Sequence, residues 1–402
     1  MRRARTWIAW CGLVACLTYA CGEDPQPQSV EQGCEPPDDI DQVEVQWAEG
    51  FSVSYHQDYK LVEVHTGAGA DERYLLWHCA QPTAEQGITQ AFEIPVQSAI
   101  TTSTTEIPAI VDLSVLDRLV GHSTLSYVSD PRVRERIDRG ELREVMTGGV
   151  LNLEVMIELA PDIVFSDVLG DPSLDTTGQG ERLRDAGVGA VRVPSYLETS
   201  PLGRAEWIKF IAVFFDREAE ANRIFDAIVE RYTELAELAA RATERPRVIS
   251  GSPNGDTWRV PGGESFAARL LADAGADYPW RENESTGSIA LATERVFQEA
   301  VSSDIWLHPW HGGSREALIA HEPRLETIPA LENGQVYLAD RRISEHGGND
   351  YWESGMARPD LVLADLLAIM HPDLIEHALV YHRRIDEPRL PGLTDSAVTA
   401  VP

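Results

Sequence analysis

The chain is poor in positive charge: its 402 residues hold 34 Lys and Arg against 65 Asp and Glu, a formal net charge of −31. No cluster of basic residues interrupts that excess, and phosphate binding needs one, so a nucleic-acid partner is excluded. The acidity serves solubility. Signatures of catalysis are also missing. There is no Gly-x-Ser-x-Gly elbow and no His-Glu-x-x-His, and "VPGGES" lacks the length and the lysine of a phosphate loop. With 43% hydrophobic residues, 25% charged residues and no long biased tract, the chain is not a disordered one; one large or two medium globular domains are expected.

Cysteine is scarce, five in all, and its placement is informative. Residues 1–20 combine the basic "MRRAR" with an apolar stretch too short for a stable membrane span, which reads as a secretory signal. Cys16 and Cys21 are both candidate acceptors of a lipid anchor. Cys21 is favoured because polar "GEDPQPQ" follows it, whereas Cys16 would leave apolar "LTY" just downstream; cleavage near Ala20 without lipid is the other outcome. Residues 21–45, rich in Pro, Gln and acid, form a flexible tether. Cys34 and Cys79 then remain as a candidate structural disulfide between tether and domain.

Residues 46–96 carry short β-rich runs, "FSVSYHQ", "KLVEVHT" and "ERYLLWHCA", expected to form a small antiparallel appendage. From 97 to 202, short apolar strands alternate with helical stretches, and the same alternation resumes at 245–386 before a tail at 387–402. That pattern predicts two α/β lobes built on parallel sheets. Between them, residues 203–244 show apolar positions at spacings of three and four, with no proline and no internal glycine. One helix of about 40 residues would be roughly 60 Å long and would link the lobes rigidly. A weak internal repeat relates the lobes: "LNLEVMIELAPDIVF" and "LATERVFQEAVSSDIWL" each start a helix with Leu-x-x-Glu and end with Asp-Ile leading a strand. Glu154 and Glu294 fall in the first turns, where the helix dipole favours a carboxylate.

Two lobes, one linking helix, a lipoprotein-type signal, "LNLEVMIELAPDIVFSD" and its echo "ATERVFQEAVSSDIWL" resemble the periplasmic binding proteins of iron-siderophore, haem and vitamin B12 ABC importers over roughly residues 97–385. The resemblance implies a periplasmic, lipid-anchored, monomeric substrate-binding component. It would carry a metal chelate to a permease dimer with its ATPase, and it has no catalytic residues and no resident cofactor. It further implies that Glu154 and Glu294 dock onto permease arginines. Exposed carboxylates at helix starts suit such charge-assisted pairing.

Ligands of open α/β lobes collect beyond the carboxyl ends of strands. In the first lobe those positions hold Ser103, Thr104 and Thr105, which either cap a helix or meet an anionic group, and Tyr127. In the second lobe they hold Trp258 and Arg259, Trp310 and His311, Arg341 and Arg342, and Tyr351 and Trp352 in the glycine-rich "GGNDYWESG". Aromatic faces with a few planar cations suit a large chelate. Each aromatic is otherwise a core residue, and the loop 347–355 faces either cleft or core. A ferric siderophore is the first expectation, with cobalamin or haem in the same cleft as alternatives. From other classes, His308 and His311 suggest direct Zn²⁺ or Mn²⁺ binding, and abundant carboxylates leave a periplasmic hydrolase open.

Overall fold

The computed structural model describes residues 41–65, 71–82, 87–147, 150–166, 178–309 and 313–389. The signal segment, Cys16, Cys21, Cys34 and nearly all of the tether lie outside them. Cys79 is disulfide-bonded.

The first lobe is a five-stranded, wholly parallel sheet. Its order is Ala190–Arg192, Ile163–Ser166, Ala99–Thr101, Leu119–His122, Arg143–Glu144. The three strands at and beside its centre are almost entirely buried, as their continuous apolar runs required. The second lobe has three parallel strands, Val248–Ser250, Ile305–Leu307 and Val336–Leu338, closed by antiparallel Arg383–Arg384. A separate antiparallel sheet, Pro253–Asn254, Thr257–Pro261 and Ser288–Ala292, stands beside it. The repeat seen in the sequence is structural. Helices Leu153–Leu159 and Thr293–Ala300 each precede a strand of a parallel sheet, Ile163–Ser166 and Ile305–Leu307, and each carries its glutamate in the first turn.

The single long link is in fact two helices, Pro201–Ala212 and Glu218–Ala239. Neither proline nor glycine breaks them. The chain turns at Asp216, which takes a left-handed φ of 52°, and the N-terminal strands hold that turn. Buried Lys60 donates to the Val213 carbonyl at 3.2 Å, to Asp216 at 2.7 Å and to Glu218, while His78 pairs with the other Asp216 oxygen at 2.9 Å. The first helix is buried nearly all round, and the second is amphipathic and packs on the apolar helix Pro359–Met370.

The β-rich segment corrects the sequence expectation twice. Its strands Phe51–Tyr55, Tyr59–Val64 and Glu72–Trp77 are antiparallel, but Gln90–Glu93 joins Glu72–Trp77 in parallel. It is also no appendage. Val62, Tyr74, Leu76 and Phe92 belong to the main core, with Phe92 edge-on to Phe214 and Phe51 against Trp207. The five consecutive backbone N–H groups from Gln46 to Gly50 donate to the buried carboxylates of Glu206 and Glu198, at 2.7 to 3.2 Å. Those bonds offset the cost of burying two acids. Anchoring begins within the expected tether: Val43 is buried, and the Glu44 carbonyl accepts from Lys209 at 2.7 Å.

Candidate ligand cleft

The carboxyl ends of both parallel sheets turn toward one seam, and side-chain contacts cross it. After Ala99–Thr101, the turn Thr104–Glu106 is a capping box. Ser103 accepts from the Thr105 amide and shares a 2.8 Å hydrogen bond with its hydroxyl, and the Glu106 carboxylate takes the Thr102 and Ser103 amides. Thr104 alone reaches across, donating its hydroxyl to the Trp352 carbonyl at 3.4 Å. Glu353 completes the crossing: its two oxygens accept the Ser129 and Asp130 amides, each at 2.7 Å.

The loop 344–353 is braced before it meets the first lobe. Ser344 accepts from the Gly348 amide, Asn349 caps Tyr351 and donates to the Ala339 carbonyl, and Arg342 pairs with Asp350 at 3.0 Å. Gly347 takes a φ of 96°, which a side chain would oppose. The bracing separates the two aromatics. Tyr351 turns inward, 6% exposed, against His308, Tyr381 and His382, whereas Trp352 stays 48% exposed. Tyr351 is thus a core residue and Trp352 a surface one.

Of the other expected residues, Tyr127 is 62% exposed and the neighbouring backbone meets Gly348. Arg341 is partly buried, 3.8 Å from Glu387. Three expectations change. Trp258 is fully buried against Trp306 and Phe297, its indole N–H donating to the Ser250 carbonyl. Arg259 follows it on the same strand, so it points to the opposite, exposed face. Arg342 is buried with Asp350 and serves to brace the loop. Trp310 and His311 lie outside the described residues.

Sequence reasoning missed Tyr196 and Leu197, 44% and 50% exposed, in the turn after the strand Ala190–Arg192. It also missed Arg204, whose Nη2 donates to the Tyr196 carbonyl at 2.8 Å. The signal for the first pair was present, an aromatic in a loop just after a strand. Arg204 sits in a helix and gave none.

Behind Tyr351 runs a buried polar chain. Asp365 accepts from the Val380, Tyr381 and His382 amides, from His377 and from His382 Nδ1. Burial alone would raise its carboxyl; the hydrogen bonds from the two histidines and the backbone win and hold it far below the usual range. His382 Nδ1 meets Asp365 at 2.9 Å, and the His382 and His308 Nε2 atoms share a hydrogen bond at 2.9 Å. Burial, with His382 beside it, pulls His308 down to about 3. This nitrogen is thus spent within the core, and among the described residues no three His, Cys, Asp or Glu side chains converge to hold a metal ion.

Outside the cleft, Glu154 is exposed on the first lobe. Glu294 is exposed on the second but lies 3.3 Å from Arg324, which also pairs with Glu322.

Two parallel-sheet lobes that turn their strand ends toward an aromatic-edged seam define a bilobal ligand-binding protein. The chain belongs to the periplasmic binding protein family of the siderophore, haem and vitamin B12 type, whose model matches residues 98–343. Two uncharacterized lipoproteins of Methanocaldococcus jannaschii are similar to it. One is 25% identical over 71% of this chain and 67% of its own length, the other 24% identical over 85% and 86%. Among solved structures, a periplasmic heme binding protein from Pseudomonas aeruginosa superposes with a TM-score of 0.55 at 19% identity, covering 73% of this chain and 99% of its own. CeuE of Helicobacter pylori gives 0.53 at 20% identity, covering 78% and 89%. These likenesses establish the fold. Proteins of this family are binding proteins of ABC importers, which work with a permease and an ATPase.

Proposed function

We propose that this protein captures a metal chelate, a ferric siderophore first and haem or a corrinoid as alternatives, in the interlobe cleft and delivers it to an inner-membrane permease. The observation that carries the proposal is the exposed aromatic set Tyr127, Tyr196 and Trp352 at the converging strand ends of a braced, bilobal frame. A ring or chelate face stacked on such a side chain gains ~0.5 to 1.5 kcal/mol beyond area burial. Thr104 and Arg341 supply polar contacts from opposite lobes. Structural neighbours described as periplasmic heme binding proteins and as a possible iron-binding protein support the ligand class.

Delivery uses Glu154 and Glu294, one per lobe, as docking carboxylates for permease arginines, with the chain held at the membrane through lipid on Cys21. Names given to the relatives in Methanocaldococcus jannaschii support the anchor.

Titration of intrinsic tryptophan fluorescence with ferric siderophores, haem and cobalamin tests the ligand class. Stoichiometric Zn²⁺ or Mn²⁺ uptake with no chelate binding would replace this proposal with direct metal capture. Trp352→Ala should weaken chelate binding about tenfold while leaving the melting temperature nearly unchanged, since it removes one stacking contact from a half-exposed side chain. A lowered melting temperature with unchanged affinity would assign Trp352 to the fold instead. Glu154→Arg with Glu294→Arg should impair uptake in cells without altering chelate affinity; normal uptake would reject the docking assignment.

A further inference from the structure

The helix repeated in the two lobes matches Glu154 with Glu294, and three residues further along the same faces it matches Ile157 with Phe297. The two patches are dressed differently. On the first lobe the patch is bare: Glu154 is exposed, with no hydrogen-bond or ion-pair partner among the described residues, and Ile157 beside it is 42% exposed. Arg143 pairs on that helix with Glu158, 3.6 Å away, and leaves Glu154 open. On the second lobe one side chain covers both positions. The Arg324 guanidinium lies over the Phe297 ring, 4.9 Å from its centroid, and its Nη1 donates to Glu294 at 3.3 Å. Arg324 comes from a separate turn, Pro323–Thr327, and is itself held there: Nε and Nη2 donate to the two Glu322 oxygens, each at 2.9 Å. That fork-to-carboxylate pairing fixes the plane of the guanidinium.

An isolated exposed ion pair contributes little to stability, because two mobile side chains must be ordered to make it. Here the ordering is already done by Glu322, and the aromatic face adds a cation–π contact to the ion pair. We infer that Arg324 masks the docking patch of the second lobe, so that a permease arginine must displace it from Glu294 and Phe297, whereas the first-lobe patch is open from the start. The incoming group is the same guanidinium that leaves, so docking on the second lobe exchanges one arginine for another with little net gain. The two sides are therefore unequal: Glu154 and Ile157 engage first and carry most of the affinity. This deepens the docking proposal for Glu154 and Glu294 and rests on it; it is independent of which chelate the cleft holds.

The test measures binding of the full chain and its variants to the permease–ATPase complex of its own importer, held in lipid nanodiscs. Arg324→Gln removes the guanidinium and should tighten docking roughly threefold to tenfold, the scale of one bridged ion pair with its cation–π contact. Loss of a charge-assisted contact in Glu154→Gln should weaken docking roughly tenfold or more, and Glu294→Gln should weaken it less than about threefold. In the Arg324→Gln background the Glu294→Gln loss should rise toward that of Glu154→Gln. Docking unchanged by Arg324→Gln would show that the mask is too loose to matter and overturn the inference. Docking weakened by Arg324→Gln would overturn it too, by making Arg324 a contact for the permease. Equal losses in Glu154→Gln and Glu294→Gln, whatever stands at position 324, would leave the docking proposal in place and remove the mask from it. Docking indifferent to both glutamates would overturn the docking proposal and the mask together.

Discussion

Gly348 shows how narrowly the seam is fitted: a Cβ there would stand 2.4 Å from the Tyr127 carbonyl oxygen and 2.8 Å from Ser129 Oγ. Backbone cannot yield as a flexible side chain can, so Gly348→Ala must push loop 344–353 off the first lobe. The expected cost is about 1 to 3 kcal/mol, the usual range for overpacking, read as a lower midpoint in urea unfolding, with a matching loss of chelate affinity as Trp352 shifts. At this scale the sequence was partly legible. It placed Trp352 and Tyr127 in post-strand loops but gave no way to choose which aromatic of the Tyr351-Trp352 pair faces out, because that is decided by the hydrogen bonds of Asn349 and Glu353. Trp258 and Arg259 held a usable warning. Neighbours on one strand face opposite sides, so the pair as a unit was never able to line one wall.

The break in the linking helices is the clearest case of a tertiary contact overriding a local pattern. Residues 203–244 satisfy helical spacing throughout, and the turn at Asp216 is explained by distant contacts, from Lys60 more than 150 positions away and from His78. Lys60→Met would leave Glu218 buried without its cation, where burial already raises its carboxyl. Removing one partner of a buried pair costs about 3 to 5 kcal/mol, so a large fall in thermal midpoint is expected. Adding Glu218→Gln should recover much of it, and a single variant as stable as wild type would show that the turn does not depend on this latch. The same reasoning explains why the β-rich segment looked detachable. Its anchors, Glu198 and Glu206, lie about 150 residues downstream and read in sequence as ordinary surface acids. The two lobes were legible because their short apolar strands are locally complete signals, whereas these long-range anchors are not.

Across the whole molecule the lobes are tied by helices on one side and by Glu353 on the other, which makes the seam sensitive to pH. Its carboxylate accepts two amides at the start of helix Pro131–Asp138, an arrangement that favours the charged form. Burial outweighs this, Asp350 adds to it, and the group is pushed up to about 8. Around it a cavity of about 100 Å³ collects Asp112, Asp130, Arg132, Arg342 and Arg358, with Tyr381 on its wall. Asp112 and Asp350 are themselves raised, chiefly by burial. The folded state therefore holds protons that the unfolded chain releases near ordinary carboxylate values. Stability from these groups is fully present below the unfolded pKa and is lost as pH rises through the folded one, for Glu353 between about 4.3 and about 8. Each such proton contributes a slope of up to about 1.4 kcal/mol per pH unit inside that window. Unfolding free energies compared at about pH 5 and about pH 8 should fall with rising pH in wild type, and Glu353→Gln, which cannot ionise, should flatten the dependence. An unchanged slope in that variant would place the sensitivity in Asp112 and Asp350, and stability rising with pH would show that the two amide bonds, not burial, govern the clasp.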